Sequence, residues 1–214
     1  MKDTNKIVIF DWGGVIENNN PEEYTINKAI IDIMRKYNCN LSNEEIFNIC
    51  SNGKNLYNTF INDDEEITKK WFKEVKNKLN ISCTYEEYKK SYYEYGKKIP
   101  YHRNVVRYSH DLNKKCKTAV FSSLVKLDYQ RINDQVNLSK FDYVFLTYRM
   151  GYNKPNEKTF EIIEKQTRIK PENMLFIDDT KVNIDVAQKR GWNTCNANGY
   201  ELDKIKKTVK IFLH

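Results

Sequence analysis

Ile7-Val8-Ile9-Phe10-Asp11-Trp12-Gly13-Gly14-Val15 is the stretch on which the fold turns. Four successive β-branched or aromatic residues predict a strand buried on both faces, as in a parallel sheet. The run stops at a carboxylate followed by two glycines, which allow a tight backbone excursion. Three further runs have the same character: Thr118-Ala119-Val120-Phe121, Tyr143-Val144-Phe145-Leu146 and Met174-Leu175-Phe176-Ile177. A weaker fifth surrounds Thr194 and Cys195. Helical patterns lie between them: Phe160 and Ile163 follow Pro155-Asn156, and Val182, Val186 and Ala187 follow Thr180, with Gly191 as the closing residue. Strands alternating with helices predict an α/β fold with a doubly wound, Rossmann-like parallel sheet.

Residues 18–99 break this alternation and read as helical throughout. Asn20-Pro21-Glu22-Glu23 has the order of a cap, a helix-first proline and an acidic first turn. Ile26, Ala29, Ile30, Ile33 and Tyr37 follow at helical spacing. Ser42 with Glu45, and Thr84 with Glu87, match the capping box. Ile67, Trp71, Phe72, Val75 and Leu79 make one apolar stripe, and Tyr88, Tyr92 and Tyr95 another. The expected organisation is a discontinuous α/β core, residues 1–17 and 100–214, interrupted by an α-helical cap, residues 18–99, over the carboxyl edge of the sheet.

Composition narrows the classes. Of 214 residues, 40% are hydrophobic and 30% charged, which is ordinary for a globular protein. The net charge is +7, but the lysines are scattered among Asp, Glu and Asn, so no nucleic-acid partner is expected. Cys39, Cys50, Cys83, Cys116 and Cys195 are odd in number and show no CxxC spacing, which fits a reducing, cytoplasmic location. No stretch approaches the roughly 18 apolar residues of a membrane span, so no membrane partner is expected either. A monomer or homodimer is anticipated.

Open α/β sheets bind ligands at the carboxyl ends of their strands. The polar residues found there are Asp11 after the first strand, Ser122-Ser123 after the second, Gly151-Tyr152-Asn153-Lys154-Pro155 beyond the third, and Asp178-Asp179 after the fourth. Three carboxylates on one edge repel one another unless a cation neutralises them, and oxygen ligands beside an anionic substrate suit Mg²⁺.

This set resembles the haloacid dehalogenase-like hydrolase superfamily, over residues 6 to 196. The family's first motif, D-x-D-G-[TV], corresponds to Asp11-Trp12-Gly13-Gly14-Val15, its second to Ser122, its lysine motif to Gly151 through Pro155, and its paired acids to Asp178-Asp179, followed by Asn183 and Gly191. The long gap between Asp11 and Ser122 looks like the family's inserted helical cap. The resemblance implies Asp11 as the nucleophile forming an aspartyl-phosphate, with Ser122 and Lys154 completing the catalytic set. It implies Ser122, Ser123, Gly13, Gly14 and Lys154 as phosphate ligands. It also implies Mg²⁺ held by Asp11, the Gly13 carbonyl and Asp179, with Asp178 acting through water. Asn183 would orient that loop. The substrate implied is a small phosphorylated metabolite, with a sugar phosphate as one candidate.

One departure bears on mechanism. The second aspartate of the family's first motif is a general acid/base, and here that position is Gly13. General acid/base help contributes typically 10²–10⁴-fold. A D-x-G-x-V first motif also resembles some sugar-phosphate phosphatases of the superfamily. The alternatives are a non-catalytic or weakly active binding protein, and a dehalogenase-type hydrolase, against which the acidic pair argues. His102 and His110 are candidates to replace the acid, or plain surface histidines. Trp12 either contacts substrate or packs under the cap. Glu17, at the start of the first linker, has no firm role.

Overall fold

Asp3–Phe10 forms β1, the central strand of a five-stranded sheet. The computed structural model describes residues 2–51 and 65–214 of the chain, so the part of the helical expectation that covers residues 52–64 lies outside the described residues. The other strands are β2 (Cys116–Ser122), β3 (Tyr143–Leu146), β4 (Met174–Asp178) and β5 (Asn193–Asn196). Their order is β3-β2-β1-β4-β5 and every pairing is parallel.

Alternation along β1 builds two cores at once. Val8 and Phe10 point to one face, with Val120, Leu175 and Ile177, while Ile7 and Ile9 point to the other, with Ala119, Phe121 and Phe176. The first face is covered by α5 (Arg103–Leu112), α6 (Asp128–Val136) and α9 (Leu202–Leu213), the second by α7 (Glu157–Thr167) and α8 (Lys181–Lys189). Asn156 caps α7 by accepting from the Lys158 amide at 3.0 Å. Gly191, at φ +84°, sits just beyond the α8 cap residue Arg190.

Between β1 and α5 lie α1 (Ile26–Lys36), α2 (Asn43–Ser51), α3 (Glu65–Leu79) and α4 (Tyr85–Gly96), packed around Ile33, Met34, Ile46, Phe72, Val75 and Tyr88. Both capping boxes form. Ser42 Oγ accepts from the Glu45 amide at 3.2 Å, and Thr84 Oγ1 from the Glu87 amide at 3.2 Å. The two crossings into this segment pair with each other: the Asn18 amide donates to Pro100 O at 2.9 Å and the His102 amide to Ile16 O at 2.8 Å.

Two local expectations fail. No helix begins at Pro21; α1 starts at Ile26. The Asn20 side chain accepts from the Glu22 amide at 3.1 Å, a local turn that competes with helix entry. Val182, expected on the apolar face of α8, is 50% exposed, because Asn183, Ile184 and Ala187 face the sheet instead. Among the described residues, no helix is long and apolar enough to cross a membrane.

Candidate active site

Parallel register sets Phe10 beside Val120 and Ile177. Asp11, Ser122 and Asp178 therefore leave the sheet at one edge, beside the strand from which the order runs both ways. The Asp11 amide donates to Ile177 O at 2.9 Å, which fixes the carboxylate at that edge. Lys154, preceding a cis Pro155, reaches in from the loop after β3. Its buried ammonium lies 2.7 Å from Asp11 Oδ1 and 2.9 Å from Asp178 Oδ2, and donates to Phe121 O at 3.3 Å. The Trp12 amide also donates to Asp11 Oδ1, at 2.6 Å. Both contacts fall on Oδ1, so among the described residues Oδ2 has no protein partner.

One carboxylate oxygen from each of Asp11, Asp178 and Asp179 lies within 4.8 Å of the others. Their environments differ. Asp178 is fully buried and accepts three hydrogen bonds: Oδ1 from the Thr180 amide at 2.7 Å, and Oδ2 from Lys154 and from Asn183 Nδ2 at 2.9 Å. Asn196 Nδ2 donates to the backbone oxygens of Asp178 and Asp179, at 3.0 Å each. Asp179 Oδ2 accepts from Asn19 Nδ2 at 2.9 Å. Gly14, at φ +75°, passes directly under this carboxylate, leaving no room for a Cβ.

Burial pushes the Asp11 carboxyl up to about 7, against the pull of the Lys154 ammonium. Burial likewise raises Asp179. Burial opposes the charge on Lys154, but attraction to Asp11 and Asp178 outweighs it and raises that pKa. Acids that hold protons more tightly than usual beside an engaged ammonium are short of positive charge. An oxygen-only donor set of this kind fits a hard divalent cation.

Asp11, Gly13, Ser122, Ser123 and Lys154 line a cavity of about 430 Å³ under the helical segment, with Trp12 and Asn183. Ile26, Asn27, Leu124 and Val182 also line it. A Cβ at Gly13 would meet nothing within 4 Å. Trp12 lines the cavity and is buried, but it packs with Phe10 and Ile177 in the sheet core rather than among the helices above it.

The same cavity exposes a second charged group. Arg131 Nη2 donates to Asp128 Oδ1 at 2.8 Å and Nε to the same atom at 3.2 Å, while Nη1 and Nη2 bind the Glu17 carboxylate. Tyr92 Oη donates to Asp128 Oδ1 at 3.0 Å. Burial raises Glu17, with Arg131 pulling the other way. Sequence reading left Glu17 without a role and missed Asn19, Asp128 and Arg131. The i, i+3 spacing of Asp128 and Arg131 was the available signal. Neither histidine is at the cavity. His102 packs edge-on against Tyr200 at 4.5 Å between ring centroids, and His110 against Phe141 at 5.4 Å.

The family model for haloacid dehalogenase-like hydrolases matches residues 8–197. A D-ribitol-5-phosphate phosphatase from Bacteroides thetaiotaomicron is 32% identical over 53 residues; the match spans 25% of this chain and about a quarter, 26%, of that enzyme. Among solved structures, an HAD-like family hydrolase from Porphyromonas gingivalis superposes with a TM-score of 0.74 at 20% identity, covering 96% of this chain and 98% of the other. A haloacid dehalogenase-family enzyme from Bacteroides thetaiotaomicron, in complex with magnesium and inorganic phosphate, gives a TM-score of 0.69 at 18% identity, covering 89% and 92%.

Proposed function

This chain belongs to the haloacid dehalogenase-like hydrolase family, and from that premise we propose that it hydrolyses a phosphomonoester of a small metabolite, with Mg²⁺ and with Asp11 as nucleophile. The observation that carries this reading is Lys154, clamped between Asp11 and Asp178 beside the third carboxylate, Asp179. Among the described residues, it leaves Asp11 Oδ2 as the oxygen without a partner. The helices between residues 26 and 96 act as the cap.

Oδ2 of Asp11 attacks phosphorus. The bond from phosphorus to the metabolite oxygen breaks, and the departing alkoxide takes its proton from water. A second water then cleaves the aspartyl-phosphate, releasing inorganic phosphate and restoring Asp11. Lys154 favours the ionised form of Asp11 and offsets phosphoryl charge, with Ser122 and the amides of Gly13 and Ser123 as hydrogen-bond donors to the phosphoryl oxygens; the Gly14 amide, expected among them, instead donates to Glu17 O at 2.8 Å. Asp11, Asp179 and the Gly13 carbonyl would hold Mg²⁺, which neutralises carboxylate and phosphoryl charge when bound. Asp178 holds Lys154 and Asn183 in place and would reach the cation through water. The similarity to a D-ribitol-5-phosphate phosphatase supports a phosphorylated sugar or polyol as substrate.

The absent side chain at Gly13 favours one other reading, a binding protein without turnover. Incubation with Mg²⁺ and an aryl phosphate, whose good leaving group needs little acid help, separates the two. Turnover that vanishes in Asp11→Asn and on chelation supports hydrolysis. No turnover, or equal rates in wild type and variant, leaves the binding reading. Halide release from a haloacid that persists with chelator would instead mark a dehalogenase, which the three-carboxylate cluster opposes.

A further inference from the structure

We infer that Glu17, Asp128 and Arg131 form a charge-selective wall of the cleft, which admits a neutral, hydroxyl-bearing leaving group and turns away one with a second anionic group. The inference rests on the phosphatase reading and names the substrate class for that site.

All three side chains line the cavity that holds Asp11, Ser122 and Lys154, and all are buried, Arg131 to 1% exposure. An arginine on a cleft wall ordinarily marks recognition of a carboxylate or phosphate, because its planar fork matches them. Here the fork is occupied. Nε, Nη1 and Nη2 all donate to Asp128 or Glu17. Two carboxylates against one guanidinium leave this wall with excess negative charge. Lys154, the other cation among the described lining residues, is engaged by Asp11 and Asp178. A second carboxylate or phosphate on the substrate therefore finds no free cation and a net negative neighbour. Hydroxyl donors find acceptors instead, since a carboxylate offers about four lone-pair sites. Glu17 Oε1 accepts from Arg131 Nη2 at a long 3.4 Å, and the Trp12 side chain neighbours the same carboxylate.

The cluster is assembled from three parts of the chain. Glu17 comes from the first linker, Asp128 and Arg131 from α6, and Tyr92 and Gly96 from α4. A Cβ at Gly96 would lie 2.5 Å from Arg131 Cδ and 2.8 Å from Nε, so the arginine is threaded through the space that the glycine leaves. Buried ion pairs seldom stabilise a fold more than apolar side chains of the same volume, so stability alone does not account for this one.

The test compares kcat/KM of the full-length protein with Mg²⁺ for three compounds of similar size: a pentitol phosphate, a phosphoglycerate and a sugar bisphosphate. Wild type is expected to favour the pentitol phosphate by about tenfold or more, since like-charge juxtaposition costs several kcal/mol. Glu17→Gln and Asp128→Asn, each removing one negative charge while keeping an oxygen for Arg131, are expected to shift that ratio by about tenfold towards the anionic pair. Equal turnover of all three by wild type overturns the inference without any variant. So does a fall in every rate by the same factor in both variants, which would make the cluster purely structural. If an aryl phosphate is not hydrolysed either, the phosphatase reading fails separately. Calorimetric binding of the same three compounds with Mg²⁺ then decides, and tighter binding of the phosphoglycerate overturns the wall.

Discussion

The carboxylate of Asp179 occupies the space that a side chain on Gly14 would fill, and Asn19 Nδ2, which holds that carboxylate at 2.9 Å, would lie 2.7 Å from the same Cβ. The glycine is thus required twice, by its positive φ of +75° and by the acid packed over it. Gly14→Ala should displace Asp179 and add roughly 1–3 kcal/mol of backbone strain. The expected outcome is a Mg²⁺ requirement raised by about tenfold or more, read from rate against Mg²⁺ concentration. An unchanged Mg²⁺ dependence would mean that Asp179 does not hold the cation.

Gly13 is the contrasting glycine. A Cβ there meets nothing within 4 Å, and its φ is not in the left-handed region. Gly13→Asp should therefore be tolerated, and it returns a carboxyl group to the position where the family carries its acid/base. A poor leaving group gains most from protonation. The ratio of alkyl phosphate to aryl phosphate turnover is expected to rise by about tenfold, at the low end of general-acid contributions. A variant that folds with an unmoved ratio would show that protonation of the leaving group is not what limits the rate.

The parts of this site that could be read in sequence are those set by local pattern. Ile7–Phe10 ends at Asp11, and Met174–Ile177 at Asp178-Asp179, because a buried parallel strand is a continuous apolar run and its end is visible in the chain. Both capping boxes lie within four residues and were equally visible. The pairing of Arg131 with Glu17 was not, because the two are 114 residues apart and the arginine's passage depends on Gly96. Asn19 was hidden in an asparagine run whose members do different things. Asn18 and Asn20 make local turns, Asn18 also accepting from Tyr200 Oη, while Asn19 alone reaches Asp179. Asn20-Pro21 misled for a related reason, since the same residue types start helices and close turns.

Burial holds the Asp11 carboxyl near 7 in the metal-free protein, against about 3.9 in an unfolded chain. Between those values the folded state binds more protons than the unfolded state. Stability of the metal-free protein therefore falls as pH rises towards 7 and levels off above it. In the proposed metal site Mg²⁺ needs Asp11 ionised, so below pH 7 its binding would have to expel a proton and would weaken by about tenfold per pH unit. Thermal unfolding with and without Mg²⁺ should show a larger stabilisation at pH 8 than at pH 6. Equal shifts at both would mean that Asp11 is already ionised or does not hold the cation.

Lys154 ties the proposed nucleophile to the acid behind it, with Nζ 2.7 Å from Asp11 and 2.9 Å from Asp178. Lys154→Met keeps most of the volume and removes the charge, leaving two buried carboxylates with no counter-ion. Breaking one partner out of a buried pair costs about 3–5 kcal/mol, so chemical denaturation at pH 8 should show a loss of that size together with loss of aryl phosphate turnover. Protonation of Asp11 relieves part of the repulsion, so the stability deficit should narrow at pH 6 while activity stays lost. Saturating Mg²⁺ should also narrow the deficit at pH 8, since the cation supplies the missing positive charge without replacing the ammonium that faces phosphorus. A deficit that ignores both pH and Mg²⁺ would make Lys154 a packing residue and remove it from the chemistry.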